Sequence, residues 1–341
     1  MQEVTFTLQT ITPMFLAGAD QTKAELRAPS FRGLMRYWQR ALVGGLVGTG
    51  QDGLKQVMQA ETDVFGATDT GSAVSIKVSG VSGEPREFNE QISVRVAGKW
   101  QATGKGYLLW SMAKSGREDK GNLKPARWYY PPGTNFQVTL SSRSQDGTKL
   151  KQAVAAFWLL THLGSIGSRS RRCAGSLAVQ IVGSNPTDFS FNTPESTQAL
   201  KQQIEQGIRT ARALYSTEQR SIREAQFDSL AQGVCRIWIL QDAQPWNSAD
   251  VAMQKLGETL QDYRSHISIQ RRKIFGLPLP PIIFNKRRAS PLLLRVAELQ
   301  GNKHVGIAVL FKTAGSDVSM EDYKLIENWA NEFRGKQEVA L

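Results

Sequence analysis

The sequence predicts an α+β fold made of two similar modules, and three observations support this prediction. Apolar residues alternate with polar ones in short stretches of both halves, which is typical of strands with one buried face. Between those stretches, apolar residues recur at helical spacing. The same strand–helix–strand–strand–helix order occurs twice along 341 residues, a length sufficient for two domains of ordinary size.

The first module begins with a strand from Val4 to Ile11, in which Val4, Phe6 and Leu8 alternate with polar residues. A helix from Phe31 to Leu46 follows, and Ser30 is its expected N-cap because a serine side chain can accept a hydrogen bond from the first turn. The remaining elements are predicted as helices over 52–65 and 147–163, strands over 73–81, 92–96, 136–140 and 177–182, and a hairpin over 108–112.

A break in the pattern at 184–188 predicts a domain boundary. We expect an N-terminal domain over 1–187, and a connector helix with a C-terminal domain over 188–341. The second half is predicted to contain helices over 194–215, 249–267 and 319–333, and strands over 234–239, 291–299 and 304–311. Two ferredoxin-like, or RRM-like, domains with basic insertions would have this order in both halves.

The chain is strongly basic, with 42 lysines and arginines against 30 acidic residues and a formal net charge of +12. Such an excess indicates nucleic acid, an anionic membrane surface or an acidic protein as partner. Nucleic acid is favoured because the positive residues are interleaved with aromatics and glycines rather than lined up on one amphipathic face. A cationic surface that only aids solubility would give the same charge.

The loop over 164–176 is the strongest candidate binding site, and we call it the Gly/Arg loop. Its glycines permit positive φ angles and close approach to a ligand, and its arginines supply charge with no acid nearby. Because three arginines in four positions repel one another, a polyanion is expected between them. A loop that merely turns the chain is the alternative. The candidate contacts are Gly164, Gly167, Ser168, Arg169, Arg171, Arg172 and Gly175.

Three other regions are basic. Arg32, Arg36 and Arg40 are spaced by four and would form a stripe on the first helix, where any one of them could instead lie over apolar surface. The segment over 263–296 contains eight lysines and arginines and no acid. Its candidate contacts are Arg271, Arg272, Lys273, Arg287 and Arg288. Between 95 and 127, basic residues alternate with aromatics, which would suit single-stranded nucleic acid, although a half-buried hairpin is favoured over 108–112.

Other classes of site have little support in the sequence. None of His162, His266 and His304 has a neighbour at metal-ligand spacing, so neither a metal nor a cofactor is expected. Cys173 and Cys235 are isolated, and we expect both to be reduced, as in a cytoplasmic protein. His162 is a candidate general base for RNA cleavage, but a packed histidine is the simpler interpretation.

The termini and hydropathy give no sign of a membrane protein. No run of about 18 apolar residues occurs, so we expect no membrane partner. The first residues lack a basic stretch followed by an apolar core, so no secretion signal is predicted.

Several blocks of the sequence form a specific combination: the opening strand, Leu26-Arg27, Ser30-Phe-Arg-Gly-Leu-Met-Arg-Tyr-Trp-Gln-Arg40, the Gly/Arg loop, Ile274-Phe-Gly-Leu-Pro278 and Arg288-Ala-Ser-Pro291. Together these blocks resemble RAMP-superfamily proteins of CRISPR systems. Within that superfamily they are similar to the family formed by the first subunit of the type III-B effector, the Cmr complex.

The resemblance implies two ferredoxin-like folds and a non-catalytic role in antiviral defence. It implies binding of guide (CRISPR) RNA near its 3′ end and of target RNA, beside other subunits of the Cmr complex. RNA contacts by the first helix and the glycine-rich loop would carry over to Arg32, Arg36, Gly164, Gly167, Arg169, Arg171, Arg172 and Gly175. The sequence departs from the expected pattern at Cys173-Ala174, where a glycine or aromatic pair is expected.

Two other functions remain open at this point. One is a CRISPR-RNA processing endoribonuclease with the same fold, which would use His162 or a tyrosine near the bound phosphate. The other is a basic scaffold held only by acidic protein partners.

Overall fold

The computed structural model describes residues 2–20, 22–115, 121, 123–144, 146–182, 187–215, 222–276, 288–315 and 318–341. Its strands are β1 Gln2–Thr10, β2 Val74–Ser82, β3 Arg86–Glu87, β4 Ser93–Val96, β5 Lys99–Ala102, β6 Trp128–Tyr129, β7 Asn135–Ser142, β8 Leu177–Val182, β9 Cys235–Leu240, β10 Leu292–Leu299, β11 Lys303–Phe311 and β12 Gln337–Val339. Its α-helices are α1 Ala28–Val47, α2 Gln51–Phe65, α3 Gly104–Leu109, α4 Thr148–Leu163, α5 Thr197–Ala213, α6 Ala249–Ser265, α7 Ile269–Arg272 and α8 Lys324–Ala330. The predicted α+β class is confirmed.

Two four-stranded antiparallel sheets have the same topology. The first has the order β2-β7-β1-β8 and the second the order β10-β11-β9-β12. When the four strands of each sheet are counted in chain order, the second pairs with the third, the third with the first, and the first with the fourth. Each sheet takes its strands from one side of the domain boundary proposed after residue 187.

The two largest apolar cores each contain residues from both sides of that boundary. One core combines Phe6, Trp38 and Trp158 with Ile237 and Ile307 from the second sheet. Apolar burial of this kind is the main favourable term in folding, so the two halves stabilise each other.

Helix α1 forms where its apolar spacing predicted, but its start is different. The N-cap is Arg27, which makes no side-chain cap, and Pro29 lies in the first turn, where a missing N–H costs little. The prediction that Ser30 caps the helix is therefore wrong, since Ser30 lies inside that turn. Gly48, with φ of 89°, ends the helix.

Helix α4 is buried on nearly every side, which single-sided periodicity did not indicate. Helix α5, the predicted connector, packs tightly on it, because a Cβ at Gly207 would lie 2.2 Å from the Trp158 ring. The connector is thereby fixed to the first module.

The hairpin predicted over 108–112 is wrong. That stretch belongs to α3 and a 3₁₀ turn, Trp110–Met112. The Thr103 hydroxyl caps α3 by accepting from the Gly106 amide at 2.9 Å. A Cβ at Gly104 would lie 2.0 Å from the Gln254 carbonyl oxygen, so α3 is in backbone contact with α6. Tertiary packing has overridden a short and ambiguous pattern.

Two further predicted segments differ in detail. The predicted strand over 92–96 is β4, which pairs with β5 in an exposed hairpin. The predicted helix over 319–333 is a 3₁₀ turn, Met320–Tyr323, followed by α8.

Candidate nucleic-acid interface

The glycines of the Gly/Arg loop allow the loop to pack against the protein itself. Gly167 and Gly175 have φ angles of 93° and 70°. A Cβ at Gly175 would lie 1.8 Å from the Ile166 carbonyl oxygen, and one at Gly167 would lie 2.3 Å from that of Phe15. At Gly164 a Cβ would lie 2.5 Å from the Trp38 indole nitrogen. The glycines thus allow close contacts within the protein. The sequence alone did not show whether they serve such contacts or contacts with a ligand.

Two non-glycine residues of the loop have left-handed backbones. Arg169 has φ of 63° and Cys173 has φ of 67°, and they flank a 3₁₀ turn, Ser170–Arg172. The Cys173 amide donates to the Leu294 carbonyl at 2.8 Å, and its own carbonyl accepts from the Thr12 hydroxyl at 2.5 Å. Such strained conformations persist where surrounding contacts hold them, and they often occur at functional sites.

Arg172 holds the loop against the second half of the chain. Its guanidinium donates to the carbonyls of Leu292 at 3.2 Å and Phe275 at 3.0 Å. Burial, followed by the charges of Arg169 and Arg264, lowers the pKa of Arg172 to about 9. The repulsion between arginines expected from the sequence is present, and the hydrogen bonds to backbone carbonyls partly offset it.

Arg169 and Arg171 are also held, each by a different segment. Arg169 Nε donates to the Leu108 carbonyl at 2.7 Å, and burial lowers the pKa of Arg169. Arg171 donates to the Ser290 carbonyl at 2.5 Å and pairs with Asp228 at 3.1 Å. The two side chains are therefore oriented before any ligand binds.

The three loop arginines meet two further arginines around a cavity of about 370 Å³, which we call the arginine pocket. Its lining residues are Tyr107, Trp110, Arg169, Ser170, Arg171, Arg172, Arg264, Phe275, Gly276, Arg288, Ala289 and Ser290. Among the described residues the lining has five guanidinium groups and no carboxylate. A concave surface with one sign of charge concentrates counter-ions, so the arginine pocket is suited to an anion.

Arg264 and Arg288 are oriented by tyrosines. Arg264 Nη1 donates to the Tyr107 hydroxyl at 2.5 Å, and Arg288 Nη2 donates to the Tyr323 hydroxyl at 2.6 Å. In the described part of the chain, Arg264 Nε and Arg288 Nη1 are buried without a hydrogen-bond partner. Unpaired buried donors of this kind are costly, and an incoming anion would satisfy them.

The predicted arginine stripe of α1 lies away from this pocket and already has a counter-ion. Arg36 and Arg40 both pair with Glu61 of α2, at 2.5 and 2.9 Å. The Glu61 side chain is only 9% exposed. Arg32 donates to the Phe65 carbonyl at 3.4 Å. The single carboxylate of Glu61 thus offsets one of the three positive charges and lowers the repulsion between Arg36 and Arg40.

The predicted contacts in the basic segment over 263–296 lie in different parts of the structure. Arg288 lines the arginine pocket, whereas Arg271, Arg272 and Lys273 lie in α7 and the 3₁₀ turn after it. Arg272 donates to backbone carbonyls of the preceding turn. Arg287 lies outside the described residues.

Sequence reasoning omitted Arg264, Tyr107 and Trp110 from the candidate site. Two features of the sequence could have indicated these residues. Arg264 is the first basic residue of the acid-free segment over 263–296, and the two aromatics lie in the stretch over 95–127 where basic residues and aromatics alternate. Neither signal indicated that these segments converge on the Gly/Arg loop.

His162 lies in a different cavity, of about 50 Å³, together with the buried Arg295. Its ring stacks on Trp158 with centroids 4.1 Å apart, and its Nδ1 donates to the Trp158 carbonyl at 2.9 Å. Burial, followed by the charge of Arg295, lowers the pKa of His162 to about 3. These contacts are those of a packed, neutral histidine.

Cys173 and Cys235 are both free cysteines, and both are buried, which the sequence did not indicate. In the described ranges, no three metal-binding side chains of the His, Cys, Asp or Glu type come together. Across the same ranges, no helix has the length and hydrophobicity needed to cross a membrane.

The sequence pattern of the RAMP superfamily matches residues 7–178, half of the chain. The chain belongs to the RAMP superfamily. The match covers most of the first module of this RAMP protein, from within β1 to the start of β8, and includes the Gly/Arg loop. Arg264 and Arg288, which complete the arginine pocket, lie beyond it.

Two curated proteins of Pyrococcus furiosus are similar in sequence to this RAMP protein. CRISPR system Cmr subunit Cmr1-2 is 32% identical over 194 residues, which is 53% of this chain and 97% of the relative. CRISPR system Cmr subunit Cmr1-1 is 29% identical over 295 residues, which is 85% of this chain and 81% of the relative.

Solved structures share the fold. The crystal structure of Cmr1 from Pyrococcus furiosus in its apo form has a TM-score of 0.68 at 22% identity, covering 99% of this chain and 98% of that one. A chain in the cryo-EM structure of the type III-B Cmr-beta bound to cognate target RNA has a TM-score of 0.55 at 12% identity, covering 96% and 100%.

Proposed function

We propose that this RAMP protein is a non-catalytic, RNA-binding subunit of a type III-B CRISPR effector, the Cmr complex, and that it binds guide RNA and target RNA in antiviral defence. Its curated relatives are named Cmr subunits. A chain of similar fold occurs in a type III-B Cmr-beta structure bound to cognate target RNA. Other Cmr subunits are the protein partners that these relatives suggest.

The arginine pocket is the observation that carries the proposal. Its five guanidinium groups have one described carboxylate partner among them, Asp228, which pairs with Arg171. Guanidinium groups bind phosphate oxygens through paired hydrogen bonds, and they do so independently of base sequence. Such contacts suit a subunit whose guide RNA varies in sequence.

The remaining basic positions contribute less in this proposal. Arg32, Arg36 and Arg40 would contact RNA only at the edge of the α1–α2 pair, because two of them already pair with Glu61. Arg271 and Lys273 would extend the basic surface beside the pocket.

A charge-matched pair of variants tests the proposal. The pocket variant combines Arg171→Gln, Arg264→Gln and Arg288→Gln. The control combines Lys55→Gln, Lys255→Gln and Lys324→Gln, three lysines in exposed i,i+3 ion pairs on helices. Both variants remove three positive charges from a formal net charge of +12.

RNA affinity of the purified chain is measured against salt concentration. The pocket variant should bind more weakly and lose about 2 from the slope of log K against log salt, since each phosphate neutralised contributes roughly 0.7. The control should keep nearly the original slope. Equal losses in both variants would show that only overall charge attracts RNA, and the proposal would fail.

The endoribonuclease alternative is tested with labelled repeat RNA in the absence of metal. The contacts of His162 with Trp158, and its separation from the arginine pocket, do not favour it as a general base. Intact RNA after prolonged incubation supports the binding role. Cleavage at a defined position that disappears in Tyr107→Phe would establish the enzyme instead.

A further inference from the structure

We infer that the arginine pocket accepts one unpaired nucleotide of a single-stranded RNA, with its phosphate among the arginines and its base stacked on Trp110. The inference rests on the proposed function and narrows it, because it assigns a single-stranded ligand and an aromatic contact to this site.

The volume of the arginine pocket is compatible with a single nucleotide. A volume of about 370 Å³ is near the lower end of small-molecule sites, which span roughly 300 to 1,000 Å³. A single nucleotide is of this size, whereas a base pair within a duplex keeps its bases stacked and presents mainly its backbone to a protein surface. A concave pocket of this size therefore suits a base that has left the stack.

Trp110 is the aromatic of the pocket with a free face. Of the other two, Phe275 is 1% exposed, and Tyr107 already has the Arg264 guanidinium over its ring, 5.8 Å from the centroid. Trp110 is 46% exposed, and within the described chain it has no ring or cation–π contact. Base stacking requires an accessible π-face, which Trp110 provides.

The position of Trp110 is fixed by its neighbours. It follows Leu108 and Leu109, both fully buried, and precedes Met112, which is 7% exposed. The Leu108 carbonyl accepts from Arg169 Nε, which ties this turn directly to the Gly/Arg loop. Because the backbone that carries the indole is already held in place, stacking a base on Trp110 costs the protein little conformational entropy.

The polar groups of the pocket favour phosphate over base edges. Arg264 Nε and Arg288 Nη1 lack partners among the described residues, and phosphate oxygens would supply acceptors for them. The uncharged side-chain donors in the lining are few: the hydroxyls of Ser170, Ser290 and Tyr107, and the indole N–H of Trp110. We therefore expect the pocket to accept any base, since stacking is tolerant of sequence.

The test compares two exposed tryptophans. Trp110→Leu tests the proposed stacking contact. Its control is Trp100→Leu, at a residue that is 72% exposed on the separate β4–β5 hairpin. The RNA probes are a ten-nucleotide oligouridine carrying a single 2-aminopurine and the same strand paired in a duplex. Binding constants come from titration, and quenching of 2-aminopurine fluorescence reports stacking.

Trp110→Leu should weaken single-strand binding roughly five- to hundredfold, the range for loss of one stacked base, and abolish the quenching. Trp110→Phe should restore most of both, and Trp100→Leu should change neither. Duplex affinity should be the same in all of these variants.

The outcomes separate this inference from the proposed function. Unchanged single-strand affinity in Trp110→Leu, with a loss in the Arg171/Arg264/Arg288 variant, overturns the inference and leaves the proposed function standing. Equal losses in Trp100→Leu and Trp110→Leu, or an equal loss for the duplex, also overturn it. Unchanged affinity in the arginine variant overturns the proposed function itself.

Discussion

Replacing Gly175 with alanine should distort the Gly/Arg loop while leaving all of its arginines in place. Gly175 has φ of 70°, and an alanine in this left-handed region costs about 1–2 kcal/mol. Its Cβ would lie 1.8 Å from the carbonyl oxygen and 2.9 Å from the carbonyl carbon of Ile166. Both are backbone atoms, so the loop itself must shift, at about 1–3 kcal/mol for overpacking. The free energy of unfolding should fall by about 2–5 kcal/mol.

The chain offers a matched control at Gly133. This glycine has φ of 87°, but nothing lies within 4 Å of the position its Cβ would take. Gly133→Ala should therefore lose only the backbone contribution of about 1–2 kcal/mol. The difference between the two variants isolates the steric contact with Ile166.

Urea denaturation measures both variants, with the slope m checked for constancy. RNA affinity is measured in parallel, because displacement of the loop should weaken binding in Gly175→Ala alone. If the two variants unfold at the same urea concentration and bind RNA equally, the contact between Gly175 and Ile166 has no structural role, and the reasoning is refuted.

Three further predictions concern charge and ionisation. Asp228→Asn should tighten RNA binding roughly three- to tenfold at 0.1 M salt, because it removes the carboxylate that pairs with Arg171, an effect on the order of 1 kcal/mol; unchanged or weaker binding in a filter assay contradicts this. His162, whose pKa is lowered to about 3, stays neutral in the folded chain while the unfolded chain takes up a proton below pH 6.5. Stability should therefore fall as the pH drops from 6.5 towards 3, by at most about 1.4 kcal/mol per pH unit from this group, and His162→Gln should flatten the curve; parallel curves argue against it. The Cys173 thiol, whose pKa burial raises to about 12, should react with iodoacetamide only after unfolding. Rapid labelling of Cys173 in the native chain, followed by mass spectrometry, would show that the site opens.

Periodicity in the sequence was sufficient to predict most regular elements. Val4, Phe6 and Leu8 alternate with polar residues, and these three are the buried apolar residues of β1 in the structure, where Thr10 is buried as well. The apolar spacing of α1 is likewise the pattern of its buried face. A strand or helix that buries one face needs apolar residues at its own period, so the local sequence is enough to predict it.

Spacing alone predicted the wrong element or the wrong helix start in two places. The stretch over 108–112 is helical because Gly104 allows backbone contact with α6, about 150 residues away. The cap at Ser30 failed because Pro29 is accommodated one position earlier in the first turn. Neither outcome could be obtained from spacing alone.

The sequence by itself determined that a glycine- and arginine-rich loop exists and that the chain carries a large positive charge. Only the tertiary structure decided which charges are available. It paired Arg36 and Arg40 with Glu61, assigned Arg172 to backbone carbonyls, and brought Arg264 and Arg288 to the loop. Charge is a property of composition, but the partner of a charge depends on which segments the fold brings within a few ångströms, where electrostatic interactions are strongest.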